Sequence, residues 1–524
     1  MGSRVLHVVN GQLTAPSSPA DVIAILDEAW NTSAAKHLVV HFHGGLTSHE
    51  NGVAIANKLA PVYDGTAAIL SDTTPTGAFS CFFVWDSGAL ESVTHNLADI
   101  AKDPLFQHMV GKVGLWVLKK ISGGIGLRSA GGTLVNEAKL GQDFADYFAG
   151  RAPDPPMALF AVETLIRASG DAAVAVRGVA DDLDTDQLAQ EIEAVDLSTD
   201  IPFQDVVTSV ANGTSGPQVG QTRTRGIGIT ASSASPISPQ GVERLFDRRV
   251  DGTRGLVNWF KVAKAIAEIV IRVIRRHHSH RDHGMYITIC EEVLRDLYVD
   301  KLGGILWNQM KKDTADAFAA STAGGALFLK RLSEMAAENP SRRFSRITLV
   351  GHSTGAVFIC NLLDKASEIL PGEQFDVIFL APAVTHERFV ATLTAHQALI
   401  GNFRQFAMSD ALECRGSIVP IAYPHSLLYY VSGLLEWTGN ANALIDEPIV
   451  GMQRFIDTIP PFDNMAFPKV DTVRQYLGSN GSRHAVWSPA RNGAGLNSES
   501  HRHGDFDDDS VTLDSIATIL RSGF

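Results

Sequence analysis

Residues 347–360, Ile-Thr-Leu-Val-Gly-His-Ser-Thr-Gly-Ala-Val-Phe-Ile-Cys, constrain this chain more than any other stretch. The apolar run Ile347 to Val350 is short enough for a buried strand, and a second apolar run, suited to a helix, begins after Gly355. A strand can pass into a helix through so tight a turn only if side chains two residues either side of the apex are missing, which explains Gly351 and Gly355. The spacing is G-x-S-x-G in a strand–turn–helix setting. Such a turn lifts the Ser353 hydroxyl above the strand ends, and the following helix directs its positive N-terminal end at the same point. Ser353 is therefore the candidate nucleophile.

Upstream, Leu38-Val39-Val40-His41-Phe42-His43-Gly44-Gly45-Leu46 is a second buried-strand pattern, ending in His-Gly-Gly. Glycines at a strand end let backbone N–H groups approach a developing oxyanion. The candidate donors are Gly45 or Leu46, together with the N–H of Thr354, the residue after the nucleophile. Taken alone, Gly44 and Gly45 would read simply as the end of a strand.

The pairing of strand–His-Gly-Gly with strand–Gly-His-Ser-Thr-Gly–helix resembles the α/β-hydrolase superfamily of serine esterases and lipases. The resemblance covers about the first 100 residues and everything after about residue 320. It implies an α/β fold, a mostly parallel sheet flanked by helices, and triad partners in the chain order Ser, acid, His. The strand pattern Phe403–Met408 ends on Ser409-Asp410, and strand ends of open α/β sheets are where ligand-facing groups lie. Asp410 is thus the expected acid, with Glu413 as the alternative; an Asp that merely bonds its own turn is the bland reading. Superfamily members often carry the base as a His followed by Gly after the last strand. Here His484–Ser488 reads as that strand, and His503-Gly504 follows, so His503 is the expected base ahead of His501. His352, inside the turn, is expected to pack there.

Composition fits a large soluble enzyme. The chain has 524 residues, 45% of them hydrophobic, enough for more than one average domain. A net charge of −13 supplies no cationic footprint for nucleic acid. Cys81, Cys290, Cys360 and Cys414 lack C-x-x-C spacing and read as reduced thiols. The first ten residues lack a signal-peptide layout, and no apolar run is long enough to span a bilayer. These features predict a cytoplasmic location, no stable membrane insertion and no nucleic-acid partner.

Between the strand pattern at residues 80–86 and Ile347 lie about 260 residues, whereas a strand–helix–strand unit takes roughly 30. The predicted organisation is therefore residues 1–87 as the N-terminal part of the core, 88–320 as a mainly helical insertion or cap, and 321–524 as the part carrying the triad. The insertion leaves the sheet at the strand ends where Ser353 emerges, so it is expected to cover the site. Within it, Ile266, Ile269, Val270, Val273 and Ile274 share one helical face, opposite Lys261, Lys264, Glu268, Arg272 and Arg275. Residues 207–240 are rich in Ser, Thr, Gly and Pro and read as a long flexible loop, a candidate lid. The His-rich run Arg275–His283 reads as cations closing a helix rather than a metal tract. The glycines of 122–132 lack phosphate-loop spacing. Asp505, Asp507, Asp508 and Asp509 lack calcium-loop spacing and read as favouring the start of the last helix.

The resulting expectation is a serine hydrolase cleaving carboxylic acyl esters through an acyl-enzyme, with no metal or organic cofactor and a small-molecule acyl ester as its partner. The same residues would equally serve a thioesterase, an amidase or an acyltransferase. A binding protein that keeps the fold without the chemistry is the reading from a different class.

Overall fold

The computed structural model of the chain describes residues 4–45, 47–85, 90–124, 136–168, 178–213, 235–248, 254–436, 446–457, 462, 467–478 and 483–524. In chain order its main strands are β1 (Val5–Val9), β2 (Gln12–Leu13), β3 (His37–Phe42), β4 (Ala78–Trp85), β5 (Phe246–Arg248), β6 (Arg254–Val257), β7 (Arg346–His352), β8 (Phe375–Leu380), β9 (Ile400–Met408) and β10 (Ala485–Ser488). Eight of them form one sheet in the order β10-β9-β8-β7-β3-β4-β1-β2. Every neighbouring pair is parallel except β1 with β2. The fold is thus α/β, built on a mostly parallel sheet with helices on both faces.

Strands buried on both faces send alternate residues into two separate cores. On one side Leu38, Val40, Phe42, Leu349, Val377 and Phe403 pack beneath the helices Pro19–Thr32, Gly324–Glu338 and Gly355–Ile369. On the other, Val39, Val350, Ile378, Phe406 and Val486 meet the helices His49–Tyr63 and Ser510–Ser522. Asp509 caps the last of these by accepting the Val511 and Thr512 N–H groups, the helix-start role expected for that acidic cluster.

Register brings the functional ends together. Phe42 stands opposite Gly351, His352 opposite Leu380, and Met408 opposite Ser488. The residues following β3, β7, β9 and β10 consequently emerge along one edge, and the ends of β7 and β9 are two strand spacings, roughly 10 Å, apart.

Between β4 and β7 the described chain is helical apart from the β5–β6 ribbon, which the sequence reading did not anticipate. The apolar face of helix Trp259–His278 is buried as expected. Its charged face is partly enclosed: Arg275 is exposed and Lys264 meets Asp186 in a solvent-exposed pair, whereas Arg272 is largely buried against Glu292 and Asp296. In the run after Arg275, residues 278–281 are half-buried, but Arg276 is buried against Glu291 and Glu292, and the His283 ring against Glu291. Basic residues do close the helix, as expected, with Arg275 to His278 in its last turn, and Arg276 serves a buried ion pair as well. Of the expected loop 207–240, residues 207–211 belong to helix Ile201–Ala211, Ser238 caps helix Pro239–Leu245, and 214–234 lie outside the described residues. Most of the glycine run 122–132 also lies outside them. Among the described residues no helix is long and apolar enough to cross a membrane.

Candidate active site

Ser353 sits between β7 and helix Gly355–Ile369 with φ +53°, a left-handed conformation that costs a non-glycine residue energy. The surroundings hold it there. Its N–H donates to the Leu380 carbonyl at 2.8 Å, and its own carbonyl accepts from Ala383 N–H at 3.1 Å. Gly355 is required by contact, since a Cβ at that position would be driven into the Phe42 carbonyl oxygen and would lie 3.2 Å from that of His43. Helix and strand can therefore meet only as bare backbone.

The His-Gly-Gly turn lies directly against this elbow. A Cβ on Gly44 would lie 3.3 Å from the Ser353 Cβ, and one on Gly45 would lie 2.5 Å from Thr354 Oγ1. His43 is the residue that shapes the turn. Its Nδ1–H donates to the Gly44 carbonyl at 2.8 Å, its Nε2 accepts the Trp85 N–H at 3.1 Å, and its carbonyl takes the Trp85 indole N–H at 3.3 Å. These bonds fix one neutral tautomer, and burial pushes the ring down to about 4. With the Gly44 carbonyl turned to His43, the planar trans peptide points the Gly45 N–H the opposite way. Leu46 lies outside the described residues.

His503 is brought to the elbow through His352. The His352 Nε2–H donates to the His503 carbonyl at 2.9 Å, and the two rings stack with centroids 5.4 Å apart. Burial, then the neighbouring His352, lowers His503 to about 3, so its ring is neutral. Both His503 ring nitrogens are buried and, among the described residues, neither has a hydrogen-bond partner. His501 is exposed, its N–H bonded to the Asp505 carboxylate.

Asp410 stands just past the end of β9, where the sequence placed it, but the structure joins it to other groups. Its carboxylate accepts the Tyr429 O–H at 2.7 Å, and its N–H donates to the Gln453 side chain at 3.0 Å. Glu413 is fully buried with Ser426 as its partner, and burial raises it to about 8. Neither carboxylate bonds His503. Gly45 and Thr354 thus lie against the Ser353 elbow and His503 stacks on its His352, while Asp410 and Glu413 face the connection between β9 and β10.

One helix of the long segment between β4 and β7, the expected insertion, lies against this edge. Met310, on helix Gly304–Ala319, places its sulfur 3.2 Å from where a Gly45 Cβ would be, and Thr314 on the same helix accepts from Asn361 of the elbow helix at 2.9 Å. Ser353 is left 3% exposed. Beside the elbow a cavity of about 280 Å³ is lined by Val357, Ala383, Val384 and, from the insertion, Lys311 and Ala315. A larger cavity of about 540 Å³ opens between the insertion and residues 414–425, walled by Tyr147, Phe160, Tyr286 and Ile421.

No family model, curated protein or solved structure matches this chain.

Two contributors escaped the sequence reading. His43 passed as part of a glycine motif, although a His directly before paired glycines, at the end of a buried strand, was the available signal. Tyr429, the partner of Asp410, lies in a short helix 19 residues further on and carries no local signature.

Proposed function

We propose that this chain is a serine hydrolase of α/β-hydrolase type that cleaves carboxylic acyl esters. The observation that carries the reading is the strained φ of Ser353 at a strand-to-helix turn, because such strain persists only where the surroundings impose it, and it concentrates at functional sites. Ser353 Oγ attacks the acyl carbonyl as His503, neutral and next to the elbow, takes its proton. The N–H groups of Thr354 and Gly45 receive the oxyanion, and water releases the acyl-enzyme. Asp410 is the acid in this scheme and must exchange its Tyr429 bond for the imidazole to act. Because Ser353 is 3% exposed, substrate access requires the insertion to move, most directly helix Gly304–Ala319.

A non-catalytic binding protein on the same fold is favoured by one observation: His503 bonds neither Ser353 nor a carboxylate. A fluorophosphonate probe separates the two. Labelling of Ser353, located by peptide mass and lost in Ser353→Ala, is expected for the hydrolase; no labelling where a known esterase reacts rules for the binding protein. A panel of esters, thioesters and amides of increasing acyl length then assigns the bond cleaved.

A further inference from the structure

We propose that the N-terminal edge of the sheet, at the opposite end of the strands from Ser353, carries a binding site for the phosphate group of a small molecule. Two cavities of about 420 and 470 Å³ meet there at Gly401 and Asn402. Arg404 and Arg483 line the first, Arg346 and Arg521 the second. Arg404 is the core of the argument. It is 2% exposed; its Nη1–H donates to the Gly495 carbonyl at 2.8 Å, while its Nε is buried with no partner among the described residues. Among the described residues no carboxylate pairs with it, and the charge that acts on it is that of Arg483. Burial and this like charge push Arg404 down to about 10.

Arg346 repeats the pattern in part. It pairs with Asp376 through Nε and donates through Nη1 to the carbonyls of Ile519 and Leu520 at 3.0 and 3.2 Å, but its Nη2 is buried without a partner among the described residues. Both guanidinium groups face the Phe524 ring, at 5.6 and 5.7 Å from its centroid. A guanidinium cannot shed its proton to escape burial, and an uncompensated buried cation is costly. An oxyanion removes that cost, since arginine donors match its geometry in pairs. Asp376 also lines the second cavity and is matched by Arg346, and Arg521 pairs with Asp72. The cations left without a carboxylate among the described residues are therefore Arg404 and Arg483, a pair that suits a dianion such as phosphate rather than a single carboxylate. Arg346 begins the strand that ends beside Ser353, seven residues away, so the two sites are roughly 20 Å apart.

The test is the melting temperature of the full chain in sodium phosphate against sodium chloride of equal ionic strength, for wild type and Arg404→Met. Phosphate strengthens apolar burial in any protein, so the readout is the difference between the two proteins. Specific binding predicts that phosphate at tens of millimolar raises the wild-type Tm by about 2 °C or more beyond its effect on Arg404→Met. Equal rises in both would overturn the site. Should Arg404→Met fail to fold, Arg483→Gln gives the same comparison: a reduced phosphate response supports the site, and an unchanged one overturns it.

Discussion

Ser353 holds a backbone conformation that its neighbours impose, and its hydroxyl takes no part in holding it: the bonds to Leu380 and from Ala383 are made by the main chain. Ser353→Ala should therefore leave folding intact, with an unchanged urea midpoint, while lowering kcat on a reactive ester by at least about 10³-fold. His503→Ala should cost nearly as much, because a nucleophile and its base act as a unit; a larger loss in His501→Ala would move the base across Arg502. Because His503 is held neutral down to about pH 3, the base form is present throughout the mildly acidic range. The acid limb of kcat/KM should accordingly fall below pH 5 rather than near 6.5, and a limb near 6.5 would mean that His503 is not the titrating base. Asp410→Asn should cost less than Ser353→Ala, since Asp410 is engaged by Tyr429. Full activity in that variant, with Glu413→Gln inactive, would transfer the acid role to Glu413.

At the scale of elements, the elbow depends on how closely helix Gly355–Ile369 meets β3. Gly355→Ala inserts one methyl group where the carbonyls of Phe42 and His43 already stand. The helix must shift, and a loss of about 1–3 kcal/mol is expected, read as a lower urea midpoint together with lost probe labelling. The insertion is joined to the core by different means. Arg281 pairs with Asp446, Tyr286 O–H donates to the Ile421 carbonyl at 2.6 Å, and Tyr423 O–H donates to Glu291 at 2.6 Å. Arg276 neutralises Glu291 and Glu292 at the centre of this junction, all three side chains fully or nearly fully buried. Arg276→Met removes the guanidinium that pairs with both carboxylates, leaving Glu292 to Arg272 and Arg295 and Glu291 to His283 and Tyr423, so the cost should lie at or below the lower end of about 3–5 kcal/mol. An unchanged melting temperature would show that the remaining cations, Arg272 and Arg295, suffice.

For the whole molecule, buried histidines set the response to acid. His37, His386 and His503 lie at about 3, and His43 and His108 at about 4, each lowered mainly by burial. Below their unfolded value of about 6.5 the unfolded chain binds protons that the folded chain refuses, so stability falls as pH drops from about 6.5 toward 3–4. Glu413 at about 8 and Glu447 at about 7 act in the opposite sense, losing stability as pH rises above the usual carboxylate range. The histidines outnumber them, so the unfolding free energy should be lower at pH 5 than at pH 7, by about a few kcal/mol, read as a lower urea midpoint; an equal or higher midpoint at pH 5 would contradict the burial of these rings. By itself the sequence determined the strands around Ser353, the helix that follows it, the His-Gly-Gly turn and the large helical segment between β4 and β7, because apolar period and paired glycines are local properties. It missed β1, whose five residues VLHVV carry a histidine that interrupts the apolar run, and the short β5–β6 ribbon. Only the tertiary structure decided that Asp410 bonds Tyr429, that Arg272 of helix Trp259–His278 is enclosed by Glu292 and Asp296, and that Arg404 is buried with no carboxylate partner among the described residues. Partners brought together from distant parts of the chain leave no periodicity to read, and whether a charge is solvated or enclosed depends on what packs over it.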